Sequence, residues 1–477
     1  MNFLTYNLFF ILKKEKIFLI LIFLLSFILN FSFFHFFLKH EKDIYFTKDS
    51  NEYHSVAVQI AKGNGITDLK GNEFYNRVPG YSLFLSFCYK LFNFDIEKSI
   101  YLQIFLSSFI SILIFLLSLV IFQNKILLAK ISCIFFTFHV GTIIYSGSLM
   151  SEVIFMLFFL FFCILFFSTF DLFFCEYSVR FFSYSKLFFA GIFLGIASLI
   201  RPVGHFIIVI SVIIFLFSNL DFLKKLIGSS FLIFGWSLII FWWILRNFLF
   251  TGEIFFHSMS GDHFLNFLSV DVVCQQTLIP FNKTRNKLLG ESRELILNEE
   301  KKIGKKLNKI QRCKISEKIA FKYLKKFPFG TIKRCLINIL KTLFCFYSRP
   351  LLYKRLPHLV TYNYFNSFSS SWYKVKSFLV SIFSDKFMVF LVYYELLWMM
   401  IIFLGFFGGI ILSFLKIYLL CELLKILPFI FLLLFLTIGV GFARLRFPIE
   451  PFLIIFSSYF WIYIFKKRVS NFICSIK

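Results

Sequence analysis

Residues 17–38 read IFLILIFLLSFILNFSFFHFFL, an apolar run without a lysine, arginine, aspartate or glutamate. A helix needs roughly 20 such residues to cross the hydrocarbon core of a bilayer. The run is too long for the core of a signal peptide and has no small-residue cleavage site, so it predicts an uncleaved first span. Lys13, Lys14 and Lys16 precede the run and predict a cytoplasmic N-terminus.

The whole chain has the composition of a protein that crosses the membrane many times. Of its 477 residues, 59% are hydrophobic and only 16% are charged, against about a quarter charged in soluble domains. We therefore expect an all-α polytopic membrane protein. The net charge of +26 does not indicate nucleic-acid binding, because no basic domain stands apart from the apolar segments.

Apolar segments along the chain predict about ten spans, with both termini inside. Every short loop predicted to be cytoplasmic carries lysine or arginine, as the positive-inside rule expects. The fifth and sixth segments are short and meet at Arg201-Pro202, where one bent element is the alternative. The ten segments are 17–38, 97–121, 127–147, 152–170, 186–200, 203–220, 226–248, 387–413, 423–442 and 449–465.

These spans divide the chain into three regions. We expect an N-terminal transmembrane module at 1–248 with a first outer loop at 39–96, a long extracytoplasmic loop at 249–386, and a C-terminal transmembrane module at 387–477. The basic run Glu299–Lys326 predicts an exposed helix in the long loop. Amphipathic patterns predict helices that lie on the membrane surface at 81–95, 331–346 and 372–384.

The first outer loop holds the most unusual polar stretch, DSNEYHSVAVQIAKGNGITDLKGNEFYNRVPGYSL at residues 49–83. The other outer loops also bring a carboxylate or an arginine to the same leaflet. Any one of these groups is explained by an interfacial anchor or an ion pair, but five loops together favour a site. The polar residues are Asp49, Glu52, Asn76, Arg77, Tyr145, Ser148, Ser151, Glu152, Arg201, Arg246, Asn247, Arg444 and Arg446.

These residue types suit a reaction at a lipid phosphate. Arginine is planar and permanently charged, and its N–H groups match phosphate oxygens. A carboxylate among arginines can stay ionised and act as a base. A donor whose lipid tail stays in the bilayer would place its phosphate at this depth, while the acceptor arrives from the aqueous side.

Several of these residues stand in motifs that resemble those of bacterial GT-C glycosyltransferases, the group of protein mannosyltransferases and the lipid A aminoarabinose transferase. The resemblance implies a GT-C-type helical bundle in the bacterial cytoplasmic membrane. It implies inverting transfer of a sugar from a polyprenyl-phosphate carrier to a lipid, glycan or protein acceptor outside the cytoplasm. The motifs run from about residue 40 to 465: DSNEY, RVPGYSLFL, LMSE at 149–152, GIFLGIASLIRP at 191–202, WILRN at 243–247 and RLRFPIEP at 444–451.

The resemblance also implies roles for single residues. Asp49 matches the acid at the reaction centre, and Glu152 matches the acid of the second outer turn. Many relatives have adjacent acids in the first loop, whereas Asp49 and Glu52 are three apart. On a helix these two would share a face, and either one can be the base. In relatives, basic residues lie near the donor phosphate. Arg77 and Arg201 match these residues, and Arg246 and Arg444 match them more loosely.

Several alternatives stay open from the sequence alone. Tyr53 and Tyr81 are candidates for stacking on a sugar, although tyrosine is common at membrane interfaces. No cofactor is certain, and a divalent metal bridging Asp49 or Glu152 is an alternative without a ligand cluster by spacing. A flippase, a transporter or a polymerase of lipid-linked saccharides is the competing function, although a transporter would usually show internal repeats. The sugar, the carrier, the acceptor and the oligomeric state are not indicated.

Overall fold

The computed structural model describes residues 10–123, 125–170, 183–351 and 385–476. Within these ranges the chain forms helices and connecting loops, with one isolated bridge between Thr67 and Glu73 and no strand. The all-α prediction is therefore confirmed. The surface helix predicted at 372–384 lies outside the described residues.

The helices follow one another in chain order with mostly short connections. Helix α1 is continued by a π-helical turn, Phe34–Leu38. The described α-helices of seven or more residues are α1 (Lys16–Phe33), α2 (Lys48–Ala61), α3 (Gly80–Phe92), α4 (Ile96–Ile121), α5 (Ile126–Thr137), α6 (Val140–Ser146), α7 (Glu152–Phe167), α8 (Tyr184–Ile200), α9 (Val203–Leu216), α10 (Phe222–Thr251), α11 (Val270–Thr277), α12 (Phe281–Ile303), α13 (Lys309–Lys326), α14 (Pro328–Phe344), α15 (Lys386–Leu415), α16 (Ile417–Phe435) and α17 (Glu450–Ile476).

Six of the described helical segments are long and apolar enough to cross a membrane, and α5 with α6 makes a seventh if that bent pair is one span. The chain is thus a polytopic membrane protein by the length and composition of its helices. Helices α7, α8 and α9 are apolar but shorter, so the ten spans stay a prediction. The six segments are Lys16–Leu38, Ile96–Ile121, Phe222–Thr251, Lys386–Leu415, Ile417–Phe435 and Ala443–Lys466.

The segment predicted as one span at 127–147 bends by 53° between α5 and α6. The side chain of His139 explains the bend. Its Nδ1 accepts a hydrogen bond from the Thr142 amide at 3.2 Å, while its own backbone is extended. A side chain that takes the place of a backbone acceptor starts a new helix instead of continuing the old one.

The two short apolar segments are separate helices, α8 and α9, which meet at the predicted corner. Arg201 has an extended backbone (φ −140°, ψ 131°). Proline at the next position disfavours the helical conformation of the residue before it, so Pro202 accounts for the break. This corner lets the Arg201 side chain reach the first residue of α7.

Helix α8 packs closely against α10 through two glycines. A Cβ on Gly191 would overlap the Leu232 carbonyl oxygen, and a Cβ on Gly235 would overlap the Phe188 carbonyl oxygen. Glycine lets the two backbones approach, as it commonly does between helices in membranes. The two helices are therefore closely packed, and the corner at Arg201 follows directly at the end of α8.

The described part of the long loop is also helical, from α11 to α14. The basic run Glu299–Lys326 is not a single exposed helix as predicted, because Gly304 takes a left-handed backbone (φ 67°) and separates α12 from α13. Helix α13 buries one face, including Ile319 and Tyr323. Its lysines occupy the other face, so it is an amphipathic helix. Its buried face packs in a small core that it shares with α11 and α12.

Candidate functional site

Helix α2 begins so that its first turn carries the predicted acids. The Ser50 amide donates to Thr47 Oγ1 at 3.3 Å, and the Thr47 amide donates to Ser50 Oγ at 2.9 Å. This reciprocal cap fixes the start of the helix. Asp49 lies in the first turn, where the helix dipole favours a negative charge. Glu52 follows one turn later on the same face.

Asp49 joins the first loop, 39–96, to the turn between α16 and α17 that carries Arg444. Its Oδ1 accepts a hydrogen bond from Arg77 Nη2 at 2.7 Å, and its Oδ2 accepts one from Arg444 Nη1 at 2.7 Å. Glu52 Oε2 accepts from Arg77 Nε at 2.6 Å. Arg77 therefore binds both acids, as their shared helix face predicts. Its guanidinium also lies 5.2 Å from the ring centroid of Tyr53.

A second ion pair lies beside the first group. Arg201 Nη1 binds Glu152 Oε1, and Glu152 is almost fully buried. The other oxygen, Glu152 Oε2, is buried and has no hydrogen-bond partner among the described residues. Arg444 is in electrostatic range of both Asp49 and Glu152. We call the six side chains Asp49, Glu52, Glu152, Arg77, Arg201 and Arg444 the acid–arginine cluster.

The electrostatics of the cluster keep Asp49 ionised. Burial acts to raise the pKa of Asp49, but the positive charges of Arg444 and Arg77 and their hydrogen bonds outweigh it and lower the pKa to about 2. The pKa of Arg77 is raised, because Tyr53 and the two acids outweigh the opposing effect of burial. Asp49 is thus a fixed negative charge at neutral pH.

We expect the stabilising effect of Asp49 to disappear in acid. A carboxyl with a lowered pKa stabilises the fold fully above its ordinary value of 3.8, and this is lost as the pH falls towards about 2. Thermal unfolding of wild type and Asp49→Asn should therefore differ at about pH 6 and converge only below about pH 2. Glu294→Gln, which changes an exposed acid of α12, is the control. A difference that is unchanged in acid would contradict the assignment.

Gln103 of α4 holds the second outer turn in place, and no sequence pattern had indicated it. Its Nε2 donates to the carbonyl oxygens of Tyr145 (3.1 Å), Ser146 (3.0 Å) and Ser148 (2.7 Å). Its Oε1 accepts from Tyr81 at 2.8 Å. This fully buried amide positions the residues that lead into Glu152.

The two predicted sugar-stacking tyrosines have different surroundings. Tyr81 is fully buried, and its ring packs edge-on against Tyr53. Its ring has no exposed face in this structure, and the stacking role of Tyr81 stays a prediction. Tyr53 lines a cavity and lies 3.4 Å, through its hydroxyl oxygen, from Ser151 Oγ.

Arg246 lies apart from the acid–arginine cluster, contrary to the expected convergence. It forms an ion pair with Glu73 and donates to the carbonyl oxygens of Ile66 (2.8 Å) and Phe74 (3.2 Å). Its guanidinium also lies 5.2 Å from the ring centroid of Trp243. These contacts fasten the middle of the first outer loop to α10, which is a structural role.

Arg446 is also structural and is not part of the cluster. Its Nε donates to Glu450 Oε1 at 2.6 Å, and its Nη1 donates to the carbonyl oxygens of Thr342 (3.3 Å), Leu343 and Cys345 (3.2 Å). These carbonyls end α14, where a helix has no backbone donors of its own. Arg446 thus ties α14, the last described helix of the long loop, to the start of α17.

A cavity of about 360 Å³ opens beside Arg77 and Tyr53. One side is polar and includes Asn76, and the other is apolar and comes from the loop after α16. Two histidines of the long loop, His257 and His263, also line it. Burial lowers the pKa of both, so both are neutral near pH 7. The remaining lining residues are Val78, Pro202, Met259, Ser260, Phe264, Phe435, Leu436, Ile438, Gly439, Val440 and Leu445.

The two histidines were not among the predicted site residues. Both stand in HSMSGDH at 257–263, which holds two of the eight histidines of the chain, and this local density was the one signal. His54, in contrast, lies beside the acids in sequence but away from the cavity. Its Nδ1 is 2.8 Å from the hydroxyl oxygen of Tyr89.

Metal binding has no ligand cluster in the described ranges. No three histidine, cysteine, aspartate or glutamate side chains there lie close enough together to hold an ion. The acids Asp49 and Glu152 instead face arginines. These described residues thus contain no ready ligand set, and the bridging divalent metal stays an alternative.

The fold and the cluster define a class of protein, a polytopic helical membrane protein whose loops join in a partly buried group of acids and arginines beside a cavity. Comparison with family models, with curated proteins and with solved structures found no match.

Proposed function

We propose that the chain is a glycosyltransferase that acts at the acid–arginine cluster. It takes a sugar from a polyprenyl-phosphate carrier and transfers it, with inversion, to an acceptor on the outer face of the bacterial cytoplasmic membrane. The observation that carries this proposal is that Asp49 forms ion pairs with both Arg77 and Arg444, and that Arg77 lines the cavity. The order of the GT-C-like motifs supports it.

The two arginines have N–H groups left for a phosphate. Arg77 uses Nε and Nη2 for the acids, and Arg444 uses Nη1. Neither Arg77 Nη1 nor the Nε and Nη2 of Arg444 has a hydrogen-bond partner in the part of the chain that the structure describes. Arginine held rigidly by carboxylates, with donors to spare, suits the binding of phosphate oxygens.

The apolar side of the cavity suits the lipid part of the donor. Phe435, Leu436 and Ile438 lie at the end of α16, a helix apolar enough to cross a membrane. A polyprenyl chain could leave the cavity along this side, while its phosphate stays at Arg77. An apolar wall next to a few polar groups is the usual composition of a small-molecule site.

The reaction that fits these groups is a direct displacement. The oxygen of the acceptor hydroxyl forms a bond to the anomeric carbon, and the bond from that carbon to the phosphate oxygen breaks. The electron pair leaves with the phosphate, where Arg77 and Arg444 stabilise the growing charge. The hydroxyl proton passes to a base, and the positive charge that develops on the sugar is typical of glycosyl transfer.

Asp49 remains the first candidate for the base, with one condition. A carboxylate whose pKa is about 2 is a weak base at neutral pH. If the donor phosphate takes over hydrogen bonds from Arg77 and Arg444, Asp49 loses part of its stabilisation and its pKa rises. Glu52 and Glu152 stay alternatives, and the neutral His263 on the cavity wall is a further one.

We expect Arg77→Ala to weaken donor binding while the protein still inserts. Loss of a charge-assisted contact to a phosphate costs about 1.5–3 kcal/mol, which is roughly 10- to 100-fold in affinity. Binding of a polyprenyl-phosphate sugar to the purified protein is the measurement. Arg293→Ala removes an exposed arginine of α12 and should change nothing. Unchanged donor binding in Arg77→Ala would remove the phosphate role.

A further inference from the structure

A second charged cavity lies where three of the predicted cytoplasmic loop ends meet. It has a volume of about 400 Å³ and is lined by Lys125 before α5, Lys416 between α15 and α16, and Lys466 of α17. We call these three residues the lysine pocket. No carboxylate is among the described residues that line it, and none of the three lysines forms an ion pair within the described ranges.

Aromatic rings lie against two of the three lysine side chains of this cavity. Lys125 Nζ lies 4.5 Å from the ring centroid of Tyr418 and 5.2 Å from that of Tyr459. Lys416 Nζ lies 4.3 Å from the centroid of Tyr463. Cation–π contacts hold an ammonium group in place without neutralising it. The pocket therefore keeps its positive charge.

The start of α5 adds further donors. Ile126, Leu127 and Leu128 form its first turn and line the same cavity. No described side chain caps this end of the helix. Backbone N–H groups at a helix start, together with the helix dipole, attract anions. Three lysines and uncapped amides thus point to one kind of ligand, an anion with several oxygens such as a phosphate group.

The rim of the pocket indicates where such a phosphate comes from. Large apolar side chains adjoin each lysine in sequence and are exposed: Leu127, Leu415, Ile417 and Phe465. A soluble anion would leave these apolar side chains exposed to water, whereas the acyl chains of a lipid would cover them. We propose that the lysine pocket binds the phosphate headgroup of an anionic membrane lipid. This inference does not depend on the proposed function.

The test uses the purified full chain in a neutral detergent. Phosphatidylglycerol is the probe, phosphatidylcholine is the neutral lipid, and inorganic phosphate is the soluble anion. Binding is measured by native mass spectrometry and by the shift in melting temperature. The variant carries Lys125→Gln, Lys416→Gln and Lys466→Gln. We expect it to bind phosphatidylglycerol at least roughly tenfold more weakly than wild type, because each lysine contributes to anionic-lipid binding.

Two further variants separate a specific pocket from general charge. Lys13→Gln, Lys14→Gln and Lys16→Gln remove three exposed lysines from the same predicted face, and this variant should bind like wild type. Arginine at all three pocket positions should keep binding because the positive charges are retained, and a glutamine variant that melts like wild type without lipid excludes misfolding as the cause of a loss. Equal losses in both glutamine variants, or no preference of wild type for phosphatidylglycerol over phosphatidylcholine, would overturn the site. The same stabilisation by phosphate alone would overturn the lipid source.

Discussion

Asp49→Asn is expected to abolish sugar transfer without removing the protein from the membrane. Asparagine keeps the size of the side chain but removes the charge that holds Arg77 and Arg444 together. Whether Asp49 takes the proton or orients the arginines, the loss should reach at least about a hundredfold, the usual scale for a positioned acid or base. The measurement is transfer of label from a radiolabelled polyprenyl-phosphate sugar pool in membranes that contain equal amounts of protein.

The matched control is Asp68→Asn. Asp68 belongs to the same outer loop, and its carboxylate accepts only local bonds from Lys70 and Asn72. It should transfer sugar like wild type. Full transfer by Asp49→Asn would move the base to Glu52, Glu152 or His263. Wild-type membranes that bind the donor yet transfer no label to lipid, glycan or protein would favour a flippase over an enzyme.

The second large effect is expected on stability, from Glu450→Gln. Glu450 Oε1 accepts hydrogen bonds from Arg446 at 2.6 Å and from Tyr347 at 2.9 Å, and all three side chains are fully buried. The neutral side chain of glutamine cannot balance the buried positive charge of Arg446. Removing one partner of a buried ion pair typically costs about 3–5 kcal/mol, because the other charge is left uncompensated.

We therefore expect Glu450→Gln to lower the melting temperature of the detergent-solubilised protein strongly or to prevent its isolation as a single species. The control is Glu299→Gln. Glu299 is exposed and pairs with Lys302 at 3.5 Å, and exposed pairs contribute about 0–1 kcal/mol. Similar melting temperatures for Glu450→Gln and wild type would mean that the buried charges are compensated in another way.

Local patterns predicted much of the architecture. Apolar runs marked each of the six described segments that are long and apolar enough to cross a membrane, because a span must be apolar along its whole length. The three-residue spacing of Asp49 and Glu52 predicted a shared face, and both acids bind Arg77. Proline after Arg201 predicted the corner. These are properties of neighbouring residues, which a single sequence contains.

Contacts between distant residues were harder to predict. Arg246 and Arg444 looked alike as arginines at outer helix ends, but Glu73 holds the first and Asp49 holds the second. Gln103 lies inside the apolar helix α4. Its role is visible only in the structure, where its Nε2 donates to three carbonyl oxygens. In the same way, His139 ended a helix through a side-chain hydrogen bond that hydropathy does not detect.

The bond between Arg444 and Asp49 joins residues 395 positions apart. Residues 39–96 are translated early, whereas Arg444 emerges from the ribosome only after α16. Until then Asp49 has only Arg77 as its ion-pair partner, and the pocket wall after α16 is also missing. A nonsense mutation between α16 and Arg444 would leave helices α1 to α16 in the chain but would remove Arg444 from the cluster. Assembly of the site therefore has to wait until the chain has been synthesised as far as Arg444.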